Sequence, residues 1–149
     1  MRIILNFYTV PTSRPSQGDA TSREKPIGWR GSSYDELLAF PDDARREAGY
    51  QLHRVQQGEA PDDWRPMAGV GPGTIEIRIH TGTQHRVFLV SKFEEAVYVL
   101  HAFEKKTQKT PAAALALAAR RYRELVAERR AATKTVTKAG RAGPRAEDR

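Results

Sequence analysis

Cysteine is absent from this 149-residue sequence. Disulfide frameworks, thiolate zinc sites and cysteine nucleophiles are thereby excluded, and stabilisation must come from packing. The absence also fits a reducing, cytoplasmic setting. Long apolar runs are missing too. The longest candidate, Ile3 to Val10, is interrupted by Asn6 and is far shorter than the roughly 20 residues that span a bilayer. Only Arg2 precedes it and no clear small-residue cleavage site follows, which makes it a poor signal peptide. The expectation is a soluble, cytoplasmic protein with no membrane association.

Positive charge is abundant. Twenty-five Lys and Arg against 18 Asp and Glu give a net charge of +7, which suggests a polyanionic partner. Most of the excess lies at the ends: residues 1–25 carry four basic and two acidic groups, and residues 126–149 carry seven and three. Between them the charge is polarised. Residues 26–74 hold five basic and eight acidic groups (−3), whereas residues 75–125 hold nine and five (+4). The second half of the core sequence is its positive side.

One domain is expected over residues 26–126, flanked by an N-terminal extension and linker (1–25) and a basic disordered tail (127–149). The stretch Pro11 to Lys25 is rich in Pro, Ser, Thr and Gly and has no face to bury; Met1 to Val10 is either an added strand or an extension. Ile27 and Trp29 alternate with small or polar neighbours and suit a short strand. Ser33-Tyr34-Asp35-Glu36 has the spacing of a capping box, before a short helix with Tyr34, Leu37 and Leu38. Pro41 fits the first turn of a second helix, and Asp42 and Asp43 favour the positive end of its dipole. Ala44, Ala48, Leu52 and Val55 then recur on one helical face until Gly58 stops it. Glu59 to Gly73 reads as a loop anchored by Trp64 and Met67. Three strands follow, at Ile75 to His80, Arg86 to Ser91 and Ala96 to Phe103. Thr110-Pro111 opens a terminal helix whose face is Leu115, Ala118, Tyr122 and Leu125.

This order of strand, two helices, three-strand antiparallel meander and C-terminal helix predicts an α+β fold. Together with the segment Val97-Tyr-Val-Leu-His-Ala-Phe-Glu-Lys-Lys-Thr-Gln-Lys-Thr-Pro111 it resembles the RelE/ParE toxin superfamily, in particular its phage-related HigB-like branch. The segment is similar over its whole length to the VLHxFxKKTxKTP signature of that branch. Phe40-Pro41-Asp42, Gln57-Gly58-Glu59 and Glu76-Ile77-Arg78 with Arg86 support it, and the likeness spans about residues 25–125. The resemblance implies a RelE-like small antiparallel sheet and a toxin that cleaves messenger RNA, commonly on the ribosome. It also implies a silencing partner, a HigA-like antitoxin with a helix-turn-helix domain. No small-molecule cofactor is implied.

Alternation places Ile75, Ile77 and Ile79 on one sheet face and Glu76, Arg78 and His80 on the other. A hairpin with Thr81 opposite His85 and His80 opposite Arg86 would put Arg78 and Arg86 on one open face. On the last strand Val97, Val99, His101 and Phe103 should share a side, with Tyr98, Leu100 and Ala102 opposite; periodicity does not say which side joins the arginines. Metal-free RNA cleavage needs a base, cations at the phosphorane and an acid. Histidine is the readiest acid-base group near neutral pH, so His101 is the first catalytic candidate, with Arg86 as the cation and Lys105 and Lys106 as further catalytic groups. Arg78, Lys109 and His80 are candidate RNA-binding residues, and Phe103 is a candidate base-stacking platform.

Each assignment has a plainer rival. His101 fits a hydrogen-bonded core histidine, the arginines fit a solvated face paired to Glu76 or to acidic antitoxin residues, and the lysines fit a solvated loop. His80 and His85 flank a hairpin without an evident third ligand, so no metal site is expected. Tyr98 and Tyr122 read as core or interface aromatics. Two rival functions share the fold: a ParE-like gyrase inhibitor without chemistry, and an inactive prophage relic that still binds antitoxin or RNA.

Overall fold

A computed structural model describes residues 24–148, with side chains through residue 134. The Met1 to Val10 segment and the expected linker, apart from Glu24 and Lys25, lie outside the described residues, as do the side chains of most of the expected tail. The element order is β1 (Ile27–Trp29), α1 (Ser33–Leu38), α2 (Asp42–Gln56), β2 (Trp64–Pro66), β3 (Thr74–Thr81), β4 (Thr83–Val90), β5 (Val97–Glu104) and α3 (Ala112–Asp148). The strands form one sheet in the order β1-β5-β4-β3-β2, with β1 parallel to β5 and all other pairs antiparallel. The α+β architecture is the expected one.

Apolar clusters cover both faces of the sheet, and the half of the central strand β4 that lies between them, Val87 to Val90, is accordingly apolar at every position. On one face Leu37, Phe40, Ala44, Leu52 and Val55 of the α1 and α2 region meet Ile77, Ile79, Val87, Leu89, Val97 and Val99. On the other, Ala118, Tyr122 and Leu125 of α3 meet Phe88, Val90 and Leu100. The apolar positions of α2 thus form the expected buried stripe, and Gly58, at φ +86°, ends the helix. Pro41 occupies the cap position before α2, one place ahead of the expected first turn.

Four local expectations are corrected. The capping box does not form: α1 begins at Ser33 itself, whose buried hydroxyl donates to the Val99 carbonyl. The segment expected as a loop contains β2, and Trp64 sits there at 41% exposure instead of anchoring the core, while Met67 does pack inward. The β3–β4 hairpin is two residues tighter than expected, with Thr81 paired to Thr83 and Arg78 to Arg86. Only Gly82, at φ +120°, separates the strands, a conformation that side chains resist. Because the shift is even, every residue keeps its face.

The fourth correction is the most consequential. Phe88 pairs with His101, but the next residue, Leu89, pairs with Val99. Leu100 is therefore the extra residue of a β-bulge, and the alternation of β5 reverses there. Val97, Val99 and Ala102 face α1 and α2, whereas Tyr98, Leu100 and Phe103 pack on the α3 side. His101 thus leaves the side of Val97 and Val99.

The bulge lies where β5 loses its outer neighbour. β1 pairs only with Val97 to Val99, and buried backbone groups beyond it need other partners. Side chains supply them. Arg121 of α3 donates to the Leu100 carbonyl at 2.9 Å, and Glu36 of α1 accepts the Ala102 N–H at 3.3 Å. Arg121 also bonds Glu36 and the Ser32 hydroxyl, each at 3.1 Å. Two helices from opposite sides of the sheet are thereby clamped to one strand edge.

Beyond Val126, where the apolar face of α3 ends, Glu128 pairs with Arg30 at 2.8 Å and Arg129 with Glu95 at 2.7 Å. The helix also passes close to the loop before β3. Tyr122 donates to the Pro72 carbonyl at 2.6 Å, and a Cβ at Gly71 would lie 2.5 Å from the Tyr122 ring.

Two stability tests follow from these contacts. Burial pushes the Glu36 carboxyl up, but hydrogen bonds from His101, Arg121 and Ser32 outweigh it and hold the pKa at about 2. A carboxyl depressed below its ordinary 4.5 adds stability above the unfolded value and loses it as pH falls towards the folded one. Denaturant unfolding should show a loss on the order of 2 kcal/mol between about pH 5 and pH 2, allowing for solvent screening of this half-buried group. In Glu36→Gln that loss should be smaller; an identical pH dependence in the two proteins would refute the assignment. Separately, Gly71→Ala should cost about 2 kcal/mol by overpacking against Tyr122, or roughly 8 °C in a thermal melt.

Candidate functional site

The reversal at Leu100 assembles one face of the sheet. Reading across the strands, Arg78, Arg86 and Phe103 form one row, and Glu76, Phe88 and His101 form the next. Leu115, Ala118, Tyr122 and Leu125 of α3 cluster with the Phe88, Leu100 and Tyr98 region. The row that contains the arginines belongs to neither apolar cluster except through Phe103.

His101 is held from two directions. Its Nδ1 lies 2.8 Å from Glu36 Oε1, and its ring stacks on Phe103 at 4.9 Å with 21° between the planes. Phe103 in turn meets Phe88 edge-on at 5.3 Å. A carboxylate at Nδ1 favours the tautomer with its proton there, which leaves Nε2 as the basic nitrogen. Sequence reasoning missed Glu36 because its spacing from Ser33 mimics a helix cap. It also missed Arg121, which looks like any cation on a helix.

The second network is cationic. Glu76 is only 1% exposed and is approached by three guanidinium groups. Arg65 of β2 donates through Nε at 3.1 Å, while the Nε atoms of Arg78 and Arg86 stand 3.6 and 3.7 Å from its oxygens. Arg86 has a side chain 9% exposed and donates to Gln84 and to the His85 carbonyl. Burial pushes its pKa below the ordinary value; Glu76 opposes that shift and Arg78 reinforces it. Arg65 carried no signal in the sequence, since β2 was unexpected.

The remaining candidates are dispersed. His80 is exposed and pairs with Asp63 at 2.7 Å, and Asp63 also lies 3.6 Å from Arg78. Lys105 extends β5 by one residue, its N–H donating to the Gln84 carbonyl and its ammonium to Gln108 within the following loop. Lys106 projects into solvent beside Glu104, and Lys109 is exposed. His85 lies on the opposite sheet face from His80, buried against Phe40 at 4.4 Å; burial lowers its pKa. Those two histidines cannot share an ion. Among the described residues, no group of three or more His, Cys, Asp and Glu could hold a metal.

Tyr98 lies at the other end of β5. Burial, together with its hydrogen bond to Glu95, pushes it up to about 12, so it stays protonated at neutral pH. Tyr122 is a core residue. Among the described residues no helix is long and apolar enough to cross a membrane.

No curated protein matches the chain. The model of the family described as "Phage derived protein Gp49-like (DUF891)" matches residues 35–123. That span is more than half of the 149 residues, and it contains Glu36, the arginine cluster, His101, Phe103, Lys105 and Arg121. The chain therefore belongs to the Gp49-like family of phage-derived proteins.

Proposed function

We propose that this protein is the toxin of a type II toxin-antitoxin pair, a metal-independent endoribonuclease of the RelE/HigB-like kind. Its substrate on this reading is messenger RNA on the ribosome, and a HigA-like antitoxin neutralises it in the cytoplasm. The observation that carries the reading is the β5 bulge, which turns His101 and Phe103 onto the same sheet face as Arg78 and Arg86. Membership of a phage-derived family is compatible with such a toxin.

The residues supply each element of the reaction. Glu36 orients His101, whose Nε2 takes the proton of a ribose 2′-hydroxyl. The 2′-oxygen attacks the adjacent phosphorus, and Arg86 and Arg78 neutralise the charge that develops on the phosphorane. Lys105, released from its contact with Gln108, protonates the departing 5′-oxygen. The products are a 2′,3′-cyclic phosphate and a 5′-hydroxyl. A base stacked on Phe103 would hold the substrate with roughly 1–3 kcal/mol, and Lys106 and Lys109 would line its path.

Induction of the chain alone should arrest growth and create discrete new messenger RNA ends bearing 5′-hydroxyls. His101→Ala should lower cleavage by about 100-fold or more, the range of a lost general base. Glu36→Gln should lower it by about tenfold at a temperature where its circular dichroism is still that of the folded chain. Arrest without new RNA ends would transfer the reading to a target such as gyrase, and no arrest would identify an inactive relic.

A further inference from the structure

We infer that Arg65, Arg78 and Arg86, gathered around the buried carboxylate of Glu76, form a phosphodiester-binding site for single-stranded RNA in which Glu76 is the positioning residue. The identity of the ligand rests on the RNA-cleaving reading above; the site itself rests on four observations.

First, charge is unbalanced where burial makes imbalance costly. Three guanidinium groups face Glu76, and only one forms a hydrogen bond with it, Arg65 Nε at 3.1 Å. Asp63 offsets a second cation from 3.6 Å but is itself engaged by His80 at 2.7 Å. The three arginines and the two carboxylates sum to one positive charge, which a single phosphodiester would cancel.

Second, the buried atoms are under-satisfied. Glu76 Oε2, Arg78 Nε and Arg86 Nε have no hydrogen-bond partner. Native interiors rarely leave such atoms unpaired, and the exceptions call for an explanation. A ligand that drew the guanidinium groups together would shorten the 3.6 and 3.7 Å approaches into charge-assisted bonds.

Third, the arrangement is directional. Each guanidinium makes its approach to Glu76 through Nε, at 3.1 Å for Arg65 and at 3.6 and 3.7 Å for Arg78 and Arg86, while Arg78 Nη1 turns to Asp63 and Arg86 Nη1 donates to Gln84 and the His85 carbonyl. A guanidinium carries five donors, so these contacts leave each side chain further N–H groups with which to meet a phosphate, in a planar geometry that an ammonium lacks. The mutual repulsion of Arg65, Arg78 and Arg86 adds to burial in lowering the Arg86 pKa, and an anion would relieve it.

Fourth, the neighbour suits RNA better than an acidic protein segment. Phe103 adjoins Arg86 in the same row and stacks on His101. A cationic groove beside an aromatic platform is the arrangement that binds single strands. Phosphate contacts of this kind fix position without reading sequence.

The test is anisotropy titration of the full chain with a mixed-sequence 2′-O-methyl RNA, which binds but cannot be cut, over a range of salt. Arg65 is half exposed, so Arg65→Ala should stay folded. It should weaken binding about fivefold near 0.1 M salt and reduce the log–log salt slope by about 0.7, the share of one phosphate contact on a single strand. Arg65→Lys should restore the slope, and Arg46→Ala, exposed on α2 over the opposite face, should not change it.

Glu76→Gln separates positioning from charge counting. Charge alone predicts tighter binding, whereas loss of positioning predicts weaker binding with the melting transition retained; tighter binding would overturn the role of Glu76. If that variant does not fold, the Arg65 variants decide. An unchanged slope in Arg65→Ala, or no salt-dependent binding by the unaltered chain, would overturn the site. Loss of affinity for a Glu- and Asp-rich peptide with RNA binding unchanged would reassign the cluster to a protein partner and likewise overturn it. A chain that binds this RNA through Arg65 yet cuts none keeps the site and loses the nuclease.

Discussion

The unpaired edge of β5 beyond Val99 is the constraint on which the remaining arrangement turns. A backbone carbonyl and a backbone N–H there would otherwise be buried without a strand to meet them, each at a cost of about 1–3 kcal/mol. The chain meets the demand with side chains, Arg121 at Leu100 and Glu36 at Ala102. Those same groups draw α1 and α3 onto one edge from opposite layers. The bulge at Leu100 lies inside this clamp, and the clamp fixes where the alternation of β5 reverses. A strand of regular pleat would have kept His101 with Val97 and Val99, against the helices that build the first core.

Two carboxylates organise the face that results, and they differ in kind. Glu36 is half-buried and well satisfied, with His101, Arg121, Ser32 and a backbone amide around it. Its depressed pKa records that surplus of donors. Glu76 is fully buried, with three cations near and one hydrogen bond. Buried ion pairs commonly add little net stability, because desolvation offsets the Coulombic gain. The retained charge at Glu76 is better understood as ordering the arginines than as holding the sheet together. That work is done by the isoleucine and valine face beneath it.

Much of the fold was legible from pattern alone. Residues Ala44 to Val55 gave a helical stripe, the three long strands alternated over enough residues to be recognised, and Thr110-Pro111 marked the start of α3. What escaped was set by tertiary contacts. A three-residue edge strand at Trp64 to Pro66 is too short to alternate, and it contains a proline. The hairpin register depended on the positive φ of Gly82, which sequence permits without requiring. The bulge is invisible to any period-two reading, so the side of His101 was undetermined. Glu36 was obscured by a stronger local motif: at four residues' span a capping box and a helix-face carboxylate look alike, and only the partner 65 residues away distinguishes them. Arg78 and Arg86 share a sheet face as alternation implied, whereas Arg65 and Arg121 had no pattern to announce them.

The double engagement of Glu36 has a bearing on how such a chain can drift over generations. One oxygen of this side chain touches the imidazole, the strand backbone and Arg121 together. A replacement there disturbs surface chemistry and architecture in the same step, and selection against misfolding would remove it whether or not the chemistry was still wanted. Position 101 is less entangled, since the clamp on Leu100 and Ala102 persists without an imidazole. The accessible route from this chain to a well-folded descendant with an altered surface therefore runs through His101, and Glu36 would outlast it as a trace of the ancestral arrangement.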